Sequence, residues 1–323
     1  MPLPNSAHTR AARSGVTPGG PAGGEFAFID RLTSRLPGPP AGEIWIGDDA
    51  AVLGPVGSRT LLTTDITAAG VHADLALMGL DDLGWRAVAT AVSDIAAMGG
   101  RADHILVAVA APPSTDLDTL YAGVAEAAAA YSCSFVGGDL SNAPDLVVVV
   151  TVQGTADGEP GPVLRSGAHS GDHLFVTGSL GASAAGLRTL RSGVEDPALA
   201  EAHRRPRARL AEGDAARRAG ATAMIDISDG LAADLAHIAR ASAVGFRLDT
   251  VPVAPGATVE EAVGGGEDYE LVVAVPDATR LTAAFTAAGL RPPIRIGVCT
   301  SDPSQRQWED REFPPTGFEH HWR

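Results

Sequence analysis

No lysine occurs anywhere in the 323 residues, so all 24 basic side chains are arginine. This absence removes the P-loop lysine, the strand lysine of protein kinases and the pyridoxal Schiff base, three common routes to phosphate or carbonyl chemistry. Any bound phosphate must therefore be met by arginine, by backbone amides or by metal ions. Cysteine is almost as scarce. Cys133 and Cys299 stand far apart without metal-ligand spacing, which excludes a zinc cluster and a disulfide framework and points to a reducing compartment. No apolar run approaches the roughly 18 residues of a membrane span, and the N-terminal stretch around Arg10 and Arg13 lacks the apolar core of a signal peptide. The expectation is a cytoplasmic protein without a membrane partner. Positive charge is also in deficit. The 24 arginines face 39 acidic residues, a net charge of −15, which argues against nucleic acid or an anionic membrane surface as partner. Metal cations are the natural complement of such an excess of carboxylate.

The length predicts two domains at about 150 residues each. Residues 1–23 are rich in Pro, Gly, Ser and Ala without hydrophobic period and read as a disordered leader. From residue 24 the pattern predicts a helix over Glu25 to Leu36, short strands near Ile44 and at Ala50 to Leu53, and a firmer strand at Thr60 to Ile66. Leu83, Ala87, Val88, Ala91, Val92, Ile95 and Met98 recur at three- and four-residue steps and predict a long helix stopped by Gly99-Gly100. A strand at Ile105 to Ala110, a helix at Leu117 to Tyr131, a strand into Gly137-Gly138 and a strand at Leu146 to Val152 follow. The Gly, Pro and Ser content of residues 154–170 places a domain division near 160. The second half, 161–323, repeats the alternation. It reads as strand Leu174 to Thr177, helices Ala182 to Leu190 and Arg204 to Ala219, strand Ala223 to Ile227, helix Leu231 to Ala241, strands Phe246 to Leu248 and Leu271 to Val275, helix Thr279 to Ala288 and strand Ile294 to Val298. The fold class is α/β with mixed sheets.

Carboxylates gather beside Gly, Ser or Thr at predicted strand ends: Gly47-Asp48-Asp49, Thr63-Thr64-Asp65, Gly137-Gly138-Asp139, Asp226-Ile227-Ser228-Asp229 and Gly265-Gly266-Glu267-Asp268. Hard divalent cations such as Mg²⁺ take oxygen ligands and share them with substrate phosphates, so five such motifs suit a metal-nucleotide site. Asp94 lies on the long helix at the edge of its apolar stripe, where a buried carboxylate needs a partner. Two roles are open to Ser228 and Asp229, which precede a helix: capping it, or metal ligation. Glu267 and Asp268 can close a glycine turn, and Arg165 can pair with a carboxylate.

The series GEFAFIDRL, IGDDAAVL, LLTTDITAAGVHAD, AVSDIAAMGG, VGGDLS, RSGAHSGDHLFVTGSLGASAAGL, IDISDGLAADLAHIA and GGGEDYELV resembles the thiamine-monophosphate kinase family in order and spacing from residue 24 almost to the C-terminus. The resemblance implies the PurM-like fold of aminoimidazole ribonucleotide synthetase and its relatives. In that fold residues 24–160 form an ATP- and metal-binding domain with a dimerising sheet, and residues 161–323 a C-terminal α/β domain. This superfamily binds ATP without a P-loop, in agreement with the lysine-free composition. The implied reaction is transfer of the ATP γ-phosphoryl directly to thiamine monophosphate, giving thiamine diphosphate, with several Mg²⁺ ions, no phosphoenzyme and a homodimeric enzyme.

Carried over position by position, the resemblance makes Asp49, Thr63, Thr64, Asp65, Asp94, Asp139, Asp226 and Asp229 Mg²⁺ ligands, with Asp65, Asp94, Asp139 and Asp229 at the reacting phosphates. It assigns Gly138, Asp139, Arg165 and Ser228 to ATP, and His72, Glu267 and Phe318 to the thiamine phosphate. Their chemistry fits, since Phe318 offers a face to a cationic thiazolium, Glu267 an acceptor to the aminopyrimidine and His72 a donor to phosphate. A phosphate dianion is its own nucleophile, so no general base is assigned, and positioning with charge stabilisation carries the rate. Three positions depart from the family pattern: Thr63 for a common serine, Ala73 for a frequent bulky aromatic and Phe318 for a usual tyrosine. They alter the thiamine pocket and keep every metal carboxylate. Selenophosphate synthetase and hydrogenase-maturation proteins are excluded by the missing reactive cysteines. Aminoimidazole ribonucleotide synthetase and a silent Mg-nucleotide-binding protein remain the alternatives.

Overall fold

The computed structural model describes residues 42–44, 48–53, 59–194, 196–313 and 316–318. The leader, the helix expected at Glu25 to Leu36 and Gly47 lie outside the described residues. The first half supplies β1 (Ala51–Leu53), β2 (Thr60–Ala68), α1 (Leu80–Ala97), β3 (Arg101–Ala111), α2 (Leu117–Ala130), β4 (Ser134–Asn142) and β5 (Val147–Thr155). The strands form a mixed sheet in the order β1-β2-β5-β3-β4, antiparallel except for the β3–β4 pair, which α2 connects as a parallel crossover. On β5 every second residue, Val148, Val150 and Val152, is fully buried, the period-two pattern of a sheet with one face covered.

Helices α1 and α2 provide that cover and approach closely at two glycines. A Cβ on Gly84 would stand 2.1 Å from the Leu120 carbonyl oxygen, and one on Gly123 1.9 Å from that of Asp81. The exposed Leu62, Ile66 and Leu106 occupy the opposite face of the sheet.

The second half builds a seven-stranded mixed sheet. Its elements are β6 (His173–Val176), α3 (Ala182–Ser192), α4 (Pro197–Arg204), α5 (Leu210–Ala219), β7 (Ala223–Asp226), α6 (Leu231–Ala241), β8 (Gly245–Leu248), α7 (Val259–Gly264), β9 (Leu271–Val275), α8 (Ala278–Ala287), β10 (Ile294–Thr300), β11 (Arg306–Trp308) and β12 (Arg311–Glu312). Strand order is β12-β11-β8-β10-β6-β9-β7, with β11–β8 the parallel pair. Buried side chains of α1 reach both sheets: Leu83, Val88 and Ile95 join the first core, while Ala96 and Ala97 pack with Phe175, Met224 and Val273 of the second. Gly213 of α5 completes this contact, since a Cβ there would meet the Ala96 carbonyl oxygen at 2.1 Å.

The single helix expected over Arg204 to Ala219 is instead the pair α4 and α5. Pro206 has no N–H to donate and turns Arg205 out of helical geometry, to φ −127° and ψ 68°. The break frees the Arg205 guanidinium to bond Asp81, Asp82 and Glu126 and to lie over the Trp85 ring. Helix α7, opened by reciprocal Thr258 and Glu261 bonds, and the short strands β11 and β12 are additions to the expected list. No helix among the described residues is long and apolar enough to cross a membrane, and both cysteines are buried free thiols.

The glycine crossing of α1 and α2 carries a prediction. Gly123→Ala forces two backbones apart and will destabilise the protein by about 1–3 kcal/mol, the usual cost of overpacking. A urea denaturation midpoint equal to that of the parent protein would refute the close approach.

Candidate active site

Three carboxylates from separate elements converge beside α1. Asp49 lies two residues before β1, Asp94 stands on α1 and Asp226 ends β7, and each offers an oxygen within 4.8 Å of the others. Each is held by a different neighbour. Thr63 Oγ1 donates to Asp94 at 2.5 Å, Ser93 Oγ donates to Asp226 at 2.6 Å, and Arg165 grips Asp49 with Nε at 3.0 Å and a terminal nitrogen at 2.9 Å. Arg165 thus has a buried carboxylate as partner, and its backbone N–H donates to Asp48 at 3.1 Å.

A second segment is joined to the Asp226 turn through the backbone. The Glu267 N–H donates to the Ser228 carbonyl at 2.7 Å, Tyr269 N–H to Ile227 at 2.9 Å and Ile227 N–H back to Glu270 at 2.7 Å. Gly266 permits this approach, with φ +67° and room for no Cβ, which would sit 2.5 Å from the Ser228 oxygen. Phe318, 53 % exposed, joins the same place because its N–H donates to the Asp229 carbonyl at 3.1 Å. Asp226, Ser228, Asp229, Glu267 and Phe318 therefore form one neighbourhood.

The cap of α6 is neither Ser228 nor Asp229. Gly230 occupies that position, and buried Asp234 accepts the N–H groups of Asp229 at 3.1 Å and Gly230 at 3.0 Å, bracing the turn from within the helix. Asp268 serves a different helix, accepting from Gly181 N–H at 2.6 Å and Ser183 N–H at 3.3 Å at the start of α3.

Strand alternation divides the remaining positions. Thr63 and Asp65 point to the helix-covered face of β2, and Asp65 lies in electrostatic range of Asp94. The Thr64 side chain points to the open face, where its hydroxyl meets that of Thr151 at 3.0 Å. Asp139 pairs across from Ala108 on the open face of β4, with its Oδ1 accepting the Leu140 N–H at 3.0 Å. In the row Asp65–Val150–Val107–Gly138, three strand spacings separate β2 from β4, on the order of 14 Å. Within one chain, Gly138 and Asp139 are thus remote from the acidic cluster. His72 lies in the turn after β2, and its Nδ1 accepts the Ala68 N–H at 3.1 Å, which puts the ring proton of the neutral side chain on Nε2 as a donor.

Comparison with known proteins bears on this arrangement. Residues 47–156 match the family model described as AIR synthase related protein, N-terminal domain, and residues 169–308 match its C-terminal counterpart. A thiamine-monophosphate kinase of Mycobacterium tuberculosis is 40 % identical over 266 residues, covering 77 % of this chain and 80 % of that protein. The Bacillus subtilis thiamine-monophosphate kinase is 35 % identical, covering 84 % and 90 %. The chain belongs to the thiamine-monophosphate kinase family. Among solved structures, AaThiL complexed with AMPPCP and TMP superposes with a TM-score of 0.81 at 30 % identity, covering 92 % of this chain and 97 % of that one.

For a member of this family the electrostatics are informative. Burial, followed by the charges of Asp226, Asp49 and Asp65, raises the Asp94 carboxyl well above the usual range. Asp226 is pushed up to about 7 by burial and then by Asp49, and Asp48 to about 7 by burial and then by Asp49. Burial first, and neighbouring negative charge second, favour the protonated form of these groups, and a hard divalent cation is the kind of ligand that favours the ionised form instead. Sequence reasoning missed four residues here. Ser93, Arg86 and Asp234 sit on predicted helices with nothing in their spacing to mark a role, while Asp48 was hidden beside Asp49. The signal available was a polar or charged residue inside an apolar helical stripe, the argument applied to Asp94 alone.

A linkage prediction follows from Asp226. Its carboxyl, raised in the folded state, retains a proton that the unfolded chain releases between pH 3.8 and about 7. Its contribution to stability therefore falls as pH rises through that window. Without metal the melting temperature should fall on this account from about pH 5 to about pH 8, and millimolar Mg²⁺ should raise it more at the higher pH. Differential scanning fluorimetry reads both; an equal Mg²⁺ effect at the two pH values would exclude cation binding by these carboxylates.

Proposed function

We propose that this protein transfers the γ-phosphoryl group of ATP in line to the phosphate of thiamine monophosphate, giving thiamine diphosphate, assisted by Mg²⁺ ions held on its aspartates. The observation that carries this reading is the direct backbone union of the acidic cluster's Asp226 turn with the Glu267 segment and Phe318. It puts groups suited to a metal-bound polyphosphate beside groups suited to an aromatic cation. Asp49, Asp94 and Asp226, with Asp65 and Asp229 alongside, are the oxygen donors that fit Mg²⁺. Bound there, Mg²⁺ would neutralise two polyanions and polarise the phosphoryl oxygens.

The chain's own groups do the remaining work. Arg165 and Ser228 border the nucleotide phosphates, and Arg165 also keeps Asp49 aimed at the cluster. The His72 Nε2 proton donates to the substrate phosphate. Glu267 accepts from the aminopyrimidine, and Phe318 lies against the thiazolium. The acceptor oxygen is already anionic, so no side chain needs to remove a proton. We assign residues 24–160 and 161–323 to the two halves of the enzyme and place it in the cytoplasm.

Product formation from ATP, Mg²⁺ and thiamine monophosphate, resolved chromatographically against free thiamine and the aminoimidazole-pathway substrate, tests the reading. Thiamine diphosphate should appear from the monophosphate alone, and its absence from a folded protein that binds Mg-ATP would transfer the chain to another activity. In the same assay Asp94→Asn should lower kcat about a hundredfold or more, while the melting temperature without metal stays level, since burial and the neighbouring carboxylates already favour the neutral form of Asp94.

The enzyme acts as a homodimer in this reading. Leu62 at 39 %, Ile66 at 51 % and Leu106 at 47 % exposure form an apolar open face, and β4 is an edge strand of this sheet. Large exposed apolar patches and unpaired strand edges call for cover. Asp139 lies on this surface, so its metal role is exercised in the site of the second copy. Co-expression of Asp94→Asn and Asp139→Asn chains distinguishes the cases. Each variant alone should be inactive, and the mixed dimer should regain one intact site of its two. Failure to regain activity, with mixed dimers verified by tagged pull-down, would remove Asp139 from the partner's site.

A further inference from the structure

Arg86 stands in the middle of α1 and is 1 % exposed. An arginine buried to this degree requires a countercharge and acceptors for its fork of N–H groups. It donates to the Glu267 carboxylate through one terminal nitrogen and to the His203 carbonyl through the other. Tyr269 and Asp65 are within electrostatic range. Its guanidinium therefore binds the partly exposed acid of the Gly-Gly-Glu-Asp segment while Asp65 lies within electrostatic range.

The segment that carries Glu267 is held with unusual firmness. Glu267 at φ +58° and Tyr269 at φ +51° both occupy the left-handed region that side chains other than glycine rarely adopt. Such backbone persists where its surroundings over-determine it. The bonds to Ser228 and Ile227, the capping of α3 by Asp268 and the grip of Arg86 supply that determination. The Glu267 side chain is 31 % exposed with one oxygen on Arg86, while its second oxygen lies 4.0 Å from His203 Nδ1. His203 is pushed down to about 4 by burial and then by Arg86, so near neutral pH it adds no positive charge that could replace the arginine.

We propose that Arg86 is a positioning residue for the acceptor substrate: it fixes the Glu267 carboxylate in the orientation that receives the thiamine end and ties that orientation to the helix bearing Asp94. The inference rests on the assignment of Glu267 to the substrate made above. It gives Arg86 an effect on acceptor binding that a purely structural ion pair would lack. Lysine at this position keeps the charge but offers a single nitrogen where Arg86 reaches the carboxylate and the carbonyl with two.

The test is a double-mutant cycle on the full-length enzyme with Arg86→Met, Arg86→Lys, Glu267→Gln and Arg86→Met/Glu267→Gln. Three readouts are taken: KM for thiamine monophosphate, KM for ATP, and calorimetric binding of thiamine monophosphate without nucleotide. Arg86→Met and Glu267→Gln should each raise the acceptor KM about tenfold or more, the scale of a lost charge-assisted hydrogen bond, with the ATP KM within about twofold. The double variant should be no worse than the worse single one, because both remove the same interaction. Arg86→Lys should lie between the parent and Arg86→Met, and calorimetric affinity should fall in step with KM.

Additive effects, or equal rises in both KM values, would overturn the proposal. If Arg86→Met does not fold, Arg86→Lys decides: an unchanged acceptor KM beside a raised one in Glu267→Gln overturns it. A parent protein that ignores thiamine monophosphate, or a Glu267→Gln variant that binds it normally, would instead overturn the functional reading beneath it.

Discussion

Mutual repulsion among Asp49, Asp94 and Asp226 is the constraint around which the molecule is built. Carboxylate oxygens within 4.8 Å of one another, in a chain already carrying a net charge of −15, would separate if any of the three rode on a loose segment. Each is fastened to a different rigid part and answered by a different donor: Arg165 for Asp49, Thr63 for Asp94 and Ser93 for Asp226. The protons that Asp94 and Asp226 retain above the usual carboxylate range express their burial first and then the charge of the neighbouring carboxylates. The fold holds this electrostatic tension in place.

Helix α1 makes the fastening possible. It is buried on the sides facing both sheets, so its side chains are placed with the precision of a core. Arg86 and Ser93 are seven residues apart, two turns that put their side chains on one face of the helix roughly 10 Å apart along its axis, with Asp94 one residue further. The contacts close a ring. Arg86 holds Glu267, Glu267 is bonded through its backbone to Ser228, the same turn begins with Asp226, and Asp226 returns to α1 through Ser93. The Glu267 segment and the Asp226 turn are thus registered against a single rigid helix, an arrangement suited to a reaction that depends on alignment.

Most of the architecture was legible in the sequence because it is written in period. Leu231–Ala241 and Leu271–Val275 have the expected bounds, since a 3.6-residue stripe and a continuous β-branched run each stop at a clear break. The broken helix at Pro206 was misread because Arg, Ala and Leu on either side are good helix formers and mask one proline. At the site, motifs placed Asp49, Thr63, Asp65, Asp94, Asp226, Ser228, Asp229, Glu267 and Phe318 together. They could not say on which face of a strand each residue falls. Thr64 and Asp139 share motifs with inward residues yet point to the open face, because strand neighbours alternate. Arg86 and Ser93 were illegible for the opposite reason, since a buried polar side chain acquires meaning only from partners 181 and 133 residues away.

The lack of lysine gains a structural sense in these contacts. Buried Arg217 bonds the carbonyls of Gly99, Asp157 and Pro160 and the carboxylate of Asp214. Arg205 spans three carboxylates, and Arg165 clasps Asp49 with two nitrogens. Each bridge uses the planar fork of a guanidinium, which satisfies several acceptors with one charge and stays ionised in a dry setting. An ammonium group would leave some of those acceptors unpaired. Arginine therefore cross-links the acidic framework, with these guanidinium groups committed to the carboxylates and carbonyls that hold the aspartates in place.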